Sequence, residues 1–149
     1  MAKGEYVSFV DDDDQVATDY VQKIYRTLCQ TRKSETPADV VCFRQRCTIK
    51  PASIVHECTY SLEHWKNREP AQRRQLAPSE VPNTLNWTGP PAHTQIWRRK
   101  TIEGIRFTDK TFGEDVDFVD AACANAKTEI QLPHTLYFYN FDSAKTATR

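Results

Sequence analysis

No apolar run in this sequence approaches the ~20 residues that a membrane-crossing helix needs. The first residues, Met-Ala-Lys-Gly-Glu, lack the apolar core of a signal peptide. Neither sign of charge is in excess. The 20 basic residues balance 20 acidic ones, so charge alone gives no drive toward nucleic acid or an anionic membrane. There is no Cys-x-x-Cys pair, no internal repeat and no low-complexity segment. The five cysteines, Cys29, Cys42, Cys47, Cys58 and Cys123, are odd in number and irregularly spaced. Cys47, His56 and Cys58 are a candidate zinc grouping. Reduced thiols in a cytoplasmic protein are the simpler reading.

What is present points to one folded domain. The chain has 149 residues, 39% of them hydrophobic and 27% charged, which is enough to build a core. Its most informative stretch is Tyr6-Val-Ser-Phe-Val10 followed by Asp11-Asp12-Asp13-Asp14. The apolar run is too short for a core helix and has polar flanks, so it predicts a buried parallel strand. Four adjacent carboxylates repel one another unless something positive sits among them. In open α/β sheets ligands bind beyond the carboxyl ends of strands. Oxygen ligands at such a place suit Mg²⁺ or Mn²⁺, which also hold phosphate. The plainer alternative is a solvated acidic turn that caps the next helix.

Further along, Thr18 is a plausible N-cap, with Asp19 in the first turn. Val21, Ile24, Tyr25 and Leu28 repeat at helical spacing and predict an amphipathic helix over 18–33. The stretch Ser34-Glu-Thr-Pro37 breaks it. Residues 39–43 read as a strand. Two more runs, 47–50 and 53–60, read as an antiparallel pair with one wet face. The span 66–92 holds five prolines and little periodicity, which predicts a long functional or mobile loop. Its Arg68, Arg73 and Arg74 are either anion contacts or plain basic surface. From His93 a short β run through Ile96 and Trp97 leads to the basic turn Arg98-Arg99-Lys100. A helix over 114–126 follows, with Val116, Val119, Ala122 and Cys123 as its apolar stripe. The strands 128–132 and 135–141 close the chain.

A second acidic cluster, Gly113-Glu114-Asp115, sits just before that helix. Carboxylates there are favoured by the helix dipole, so capping accounts for them. Phe107 and Phe112 flank the cluster and would partly enclose it, and an enclosed carboxylate can act as a general base.

In order and spacing these segments resemble glycosyltransferase family 2, the nucleotide-sugar-dependent transferases of GT-A fold. The strand running into Asp11-Asp12-Asp13-Asp14 is similar to the family's Asp-x-Asp strand. Asp19-Tyr20 is similar to the start of its next helix. Trp97-Arg98-Arg99, Gly104-Ile-Arg-Phe107 and Gly113-Glu114-Asp115 resemble its acceptor-side segment, and Leu136-Tyr-Phe-Tyr139 its closing strand. The resemblance spans both ends of the chain and is weak over 40–92.

The resemblance implies an α/β fold, a mixed sheet flanked by helices, with residues 1–149 forming the C-terminal part of one GT-A domain. It implies that the units binding the nucleotide base and ribose are missing from this chain. Asp11 and Asp13 match the positions that hold Mn²⁺ or Mg²⁺ and the donor diphosphate, with Asp12 beside them in the donor site. Asp115 matches the general base that takes the acceptor hydroxyl's proton, and Glu114 is the lesser candidate. The implied reaction moves a sugar from a nucleotide-sugar to a hydroxyl acceptor, with inversion. Acceptors of this kind include a glycan, a lipid-linked sugar or a protein. Two other classes stay open. One is a non-enzymatic or degenerate fragment that needs a partner chain, or a second copy of itself. The other is a metal-dependent phosphoryl-transfer or hydrolase domain.

Overall fold

A computed structural model of the chain describes residues 2–31, 37–50, 54–58, 61–67, 92–110 and 113–142. In chain order the elements are β1 (Tyr6–Ser8), β2 (Gln15–Val16), α1 (Tyr20–Thr31), β3 (Val40–Lys50), β4 (Ile54–Cys58), α2 (Leu62–Lys66), a 3₁₀ turn (Ala92–Thr94), β5 (Gln95–Arg98), α3 (Glu114–Asn125) and β6 (Glu129–Asp142). The strands form one mixed sheet in the order β1-β5-β3-β6-β2, with β4 also paired to β3. Among the described residues no helix is long and apolar enough to cross a membrane.

The centre of the sheet is β3. It carries straight through residues 44–46, where the sequence pattern predicts a gap between two strands. One side of it pairs antiparallel with β5 through Val40–Cys42 and then with β4 through Gln45–Ile49. The other side pairs in parallel with β6 over its whole length. β6 on one side, joined from Gln45 onward by β4 on the other, holds the polar Arg44-Gln45-Arg46 in the strand, so pairing overrides local preference. The antiparallel pairing of 47–50 with the run after Pro51 agrees with the sequence reading.

Side chains of a strand alternate between faces, and here the alternation builds two cores. Val40 and Cys42 join Trp97 and Leu62, Trp65, Phe118, Val119, Ala122 and Cys123 of α2 and α3. Val41, Phe43 and Cys47 join Ile96 and α1 residues Tyr20 and Ile24. The sheet therefore lies between α2 and α3 on one face and α1 on the other. All four residues expected to form the apolar stripe of α3 are buried.

Three expectations are corrected. Residues 6–10 are not a parallel strand buried on both faces. β1 stops at Ser8, lies at the sheet edge and runs antiparallel to β5. Val10 is 51% exposed, while Phe9 leaves the strand to pack edge-on against Phe118 at 5.1 Å. The buried face of α1 is Tyr20–Ile24–Leu28, and Val21 and Tyr25 point outward at 74% and 65% exposure. One residue turns a helix by about 100°, so a stripe that begins at Tyr20 instead of Val21 turns Val21 and Tyr25 out. Tyr20 earns the inner place by stacking edge-on against Phe43 at 5.5 Å and meeting the Ser8 hydroxyl at 2.5 Å. Third, 128–132 and 135–141 are one strand, β6. Against β3, the register runs from Cys42 to Gln45 on one side and from Gln131 to Tyr137 on the other. Three steps face six, so β6 carries extra residues in two places, between Gln131 and Thr135, where Pro133 lies, and between Thr135 and Tyr137. Proline has no N–H for the ladder, and a bulge is where a strand tolerates it.

Some expectations fall elsewhere. Residues 68–91, including Arg68, Arg73 and Arg74, and also Phe112, lie outside the described residues. So do the side chains of His56 and Cys58, and Cys47 is buried in the α1-side core. Among the described residues Cys29, Cys42, Cys47 and Cys123 form no disulfide.

Asp39 locks the layers together. Its Oδ2 accepts the Lys127 N–H at 2.8 Å, the Thr128 N–H at 3.1 Å and the Thr128 hydroxyl at 3.2 Å. Its Oδ1 accepts the Thr101 hydroxyl at 3.1 Å. Burial works to raise its pKa, but these donors outweigh it and the net shift is downward. A carboxylate with a lowered folded pKa stabilises the fold above its unfolded value, near 3.8. That stability fades as pH falls below this value through the folded pKa. Asp39→Ala is expected to lose on the order of 2 kcal/mol in urea unfolding at pH 7. The difference from wild type should shrink below pH 3.8; an equal difference at both pH values would show that the charge is not what matters.

Candidate functional site

The acidic run forms a tight turn after β1. Asp14 N–H donates to the Asp11 carbonyl at 3.3 Å, with Asp12 and Asp13 exposed at the apex. β1 and β2 are consecutive in sequence but lie at opposite ends of the strand order. The turn therefore carries the chain across the sheet, past the ends of the strands between. This crossing sets the aspartates above side chains from β3, β6 and the 3₁₀ turn.

Asp14 is fastened to β6. Its Oδ1 accepts the Asn140 N–H at 2.9 Å and its Oδ2 the Tyr137 hydroxyl at 2.7 Å. The Tyr137 oxygen in turn accepts the Asp11 N–H at 3.2 Å. The irregularity of β6 between Gln131 and Tyr137 makes this geometry, because it sets Tyr137 opposite Gln45 in the register. Bulges re-aim side chains in this way beside functional sites. Burial raises the Tyr137 pKa, with the bond to Asp14 adding to it, so the phenol keeps its proton and donates. Desolvation also raises the Asp14 pKa, more than the bonds from Asn140 and Tyr137 lower it.

Asp11 is fastened from below. His93 is 5% exposed. Its Nδ1 lies 3.0 Å from Asp11 Oδ2 and its Nε2 lies 2.7 Å from Gln45 Oε1. The ring stacks on Tyr137 at 4.2 Å and an 8° tilt, and on Tyr139 at 5.6 Å. The hydrogen bond from His93 lowers the Asp11 pKa against the opposing effect of burial. Oxygens of Asp11 and Asp14 and a nitrogen of His93 lie within 4.8 Å of one another. Asp11 therefore sits in a group with metal-binding chemistry, together with Asp14 and His93. Asp12 and Asp13 stand outside it on the exposed apex.

The second cluster begins α3. Gly113 has φ 77°, a left-handed conformation in which a side chain is strained, and it turns the chain into the helix. Asp115 Oδ1 accepts the Val116 N–H at 2.8 Å. Desolvation raises the Asp115 pKa, and the charge of Glu114 adds to the rise. A positive charge on His93 acts to lower it, as it does for Asp14, so His93 lies within electrostatic reach of both clusters. Phenylalanines join the clusters physically. Phe9, two residues before Asp11, meets Phe118, one helical turn after Asp115, at 5.1 Å. Phe107 stacks on Phe118 at 4.5 Å and meets Phe9 edge-on at 5.2 Å.

Sequence reasoning did not find Gln45, His93 or Tyr137. Each sits in or beside a run that reads simply as strand, and single polar residues there carry no pattern. The only available signal was the cost of four adjacent aspartates, which required donors from elsewhere in the chain.

No protein-family model matches the chain, and no curated protein matches it. Among solved structures it is similar to S. aureus TarS, a glycosyltransferase, with a TM-score of 0.58 and 19% sequence identity. The likeness covers 93% of this chain and 22% of TarS, so the chain spans less than a quarter of that protein's length. At this identity the likeness is one of fold: a mixed α/β unit similar to part of a glycosyltransferase.

Proposed function

We propose that this chain carries the metal-side and acceptor-side residues of a nucleotide-sugar-dependent glycosyltransferase of family 2 type. The observation that supports it is that two acidic clusters, at Asp11–Asp14 and at Glu114–Asp115, are joined through one phenylalanine cluster. The TarS-like fold accords with it. A phosphoryl-transfer site would explain the first cluster and leave the second with helix capping alone.

The donor set fits a hard divalent cation, because carboxylate oxygens predominate and the turn is open to solvent. Asp11 and Asp13 would hold Mn²⁺ or Mg²⁺, with Asp12 beside the donor phosphates. Both Asp14 oxygens already accept hydrogen bonds, and this suits Asp14 to anchoring the turn. Bound there, the ion would neutralise charge on the departing nucleoside diphosphate. Asp115 takes the proton from the acceptor hydroxyl, and its raised pKa makes it a stronger base than an ordinary carboxylate.

Mn²⁺ titration with UDP or GDP present is expected to show binding by wild type and at least tenfold weaker binding by Asp13→Ala. Equal binding by the two proteins removes Asp13 from the site.

Asp115 is open to a cleaner test. Its pKa is raised in the fold, so its ionisation opposes folding at neutral pH, and removing the charge should not destabilise. Asp115→Asn is expected to unfold in urea no earlier than wild type and, in a context that supplies the nucleotide-binding units, to bind Mn²⁺ and nucleotide normally and to transfer no sugar. A loss of about 0.5–2 kcal/mol with transfer intact would make Asp115 a helix cap only.

A second reading is a chain that works only against a partner chain or another copy of itself. Among the described residues β1 pairs with β5 alone, which leaves its other edge open. Open edges invite strand addition. Concentration-dependent association in sedimentation would favour this reading, and a monomer that turns over nucleotide-sugar would end it.

A further inference from the structure

Gln45 is fully buried in the middle of the central strand. Its Oε1 faces His93 Nε2 at 2.7 Å, while its Nε2 has no hydrogen-bond partner. A buried amide with one end unmade costs stability, and an apolar residue of similar size would avoid the cost. The one polar contact shown for Gln45 is His93. His93 in turn spends both ring nitrogens, on Gln45 and on Asp11 Oδ2, and its ring is held flat against Tyr137. From β3 to the surface the line runs Gln45–His93–Asp11, with only its last member open to solvent.

The geometry points to Gln45 and His93 as positioning residues that hold Asp11 Oδ2, so that Asp11 presents its other oxygen, Oδ1, to a divalent cation. This rests on Asp11 being a cation ligand, as proposed above. A histidine N–H that fixes a ligating carboxylate from behind orients it before the ion arrives. Outer partners of this kind change metal affinity by about 10–100-fold. His93 has no ring nitrogen left over, so it acts through Asp11 and stays out of the coordination sphere. Gln45 acts one step further back, by fixing the rotation of the imidazole so that Nδ1 meets the carboxylate. The same arrangement leaves Asp14 to anchor the turn through Tyr137 and Asn140.

The test is Mn²⁺ affinity of the full chain, read from the signal of free Mn²⁺ in electron paramagnetic resonance, with no turnover needed. His93→Phe keeps the stack on Tyr137 and removes both ring nitrogens. Gln45→Leu keeps the volume and removes only the bond to His93. Both are expected to weaken Mn²⁺ binding about 10–100-fold with unchanged circular dichroism. His93→Asn, which returns a donor toward Asp11, should recover part of the loss. A purely structural role would give no such rescue. Pulsed measurements on bound Mn²⁺ should show no directly coordinated nitrogen. If His93→Phe fails to fold, Gln45→Leu and His93→Asn decide the matter. Unchanged affinity in the folded variants, or a coordinated imidazole in wild type, overturns the proposal. Wild type that binds no Mn²⁺ fails at an earlier step and removes the cation reading of Asp11 together with it.

Discussion

The two-sided pairing of β3 is the constraint on which the other elements depend. Its backbone is bonded to β5 and β4 on one side and to β6 on the other. With its edges occupied, its side chains can only point up or down, and each direction finds a helix layer. Residues 40 and 42 bury against α3, and 41 and 43 against α1. The Asp39 carboxylate then ties the start of β3 to the end of α3 and to the turn after β5 through four donors. Disturbing this strand would disturb both cores at once.

The same strand carries the polar line beneath the acidic turn. Gln45 is among the most buried residues of the protein, yet it is polar and half satisfied. It lies opposite Tyr137 because β6 carries three extra residues between Gln131 and Tyr137. Without the extra residues, the alternation of β6 would continue unbroken from Gln131 and turn the Tyr137 hydroxyl away from Asp11 and Asp14. The irregular stretch of β6 therefore couples the sheet's pairing to the site's geometry. The acidic turn is held from two directions, by His93 under Asp11 and by Tyr137 and Asn140 against Asp14. Four neighbouring carboxylates would otherwise repel one another. Their donors come from β6 and the 3₁₀ turn, which lie more than 75 residues further along the chain.

The sequence by itself determined the elements whose signals are local. The helix 114–126 and its buried stripe follow from spacing, as do the existence of α1, the antiparallel pair at β3 and β4, and the strand at Ile96–Trp97. The turn residues Asp11–Asp14 and the Gly113 entrance to α3 were also legible, because charge runs and glycine carry their meaning within a few residues. Tertiary structure alone decided which way those elements faced and which residues met. The rotation of α1 was set by Tyr20 finding Phe43 and Ser8. The edge position of β1 was set by its pairing with β5. The union of two apparent strands into β3 was set by β6 on one side, joined from Gln45 onward by β4 on the other. Gln45, His93 and Tyr137 became a polar line only when 48, 82 and 126 residues of intervening chain were folded away. A hydrogen bond depends on distance in space, and local pattern holds no record of it.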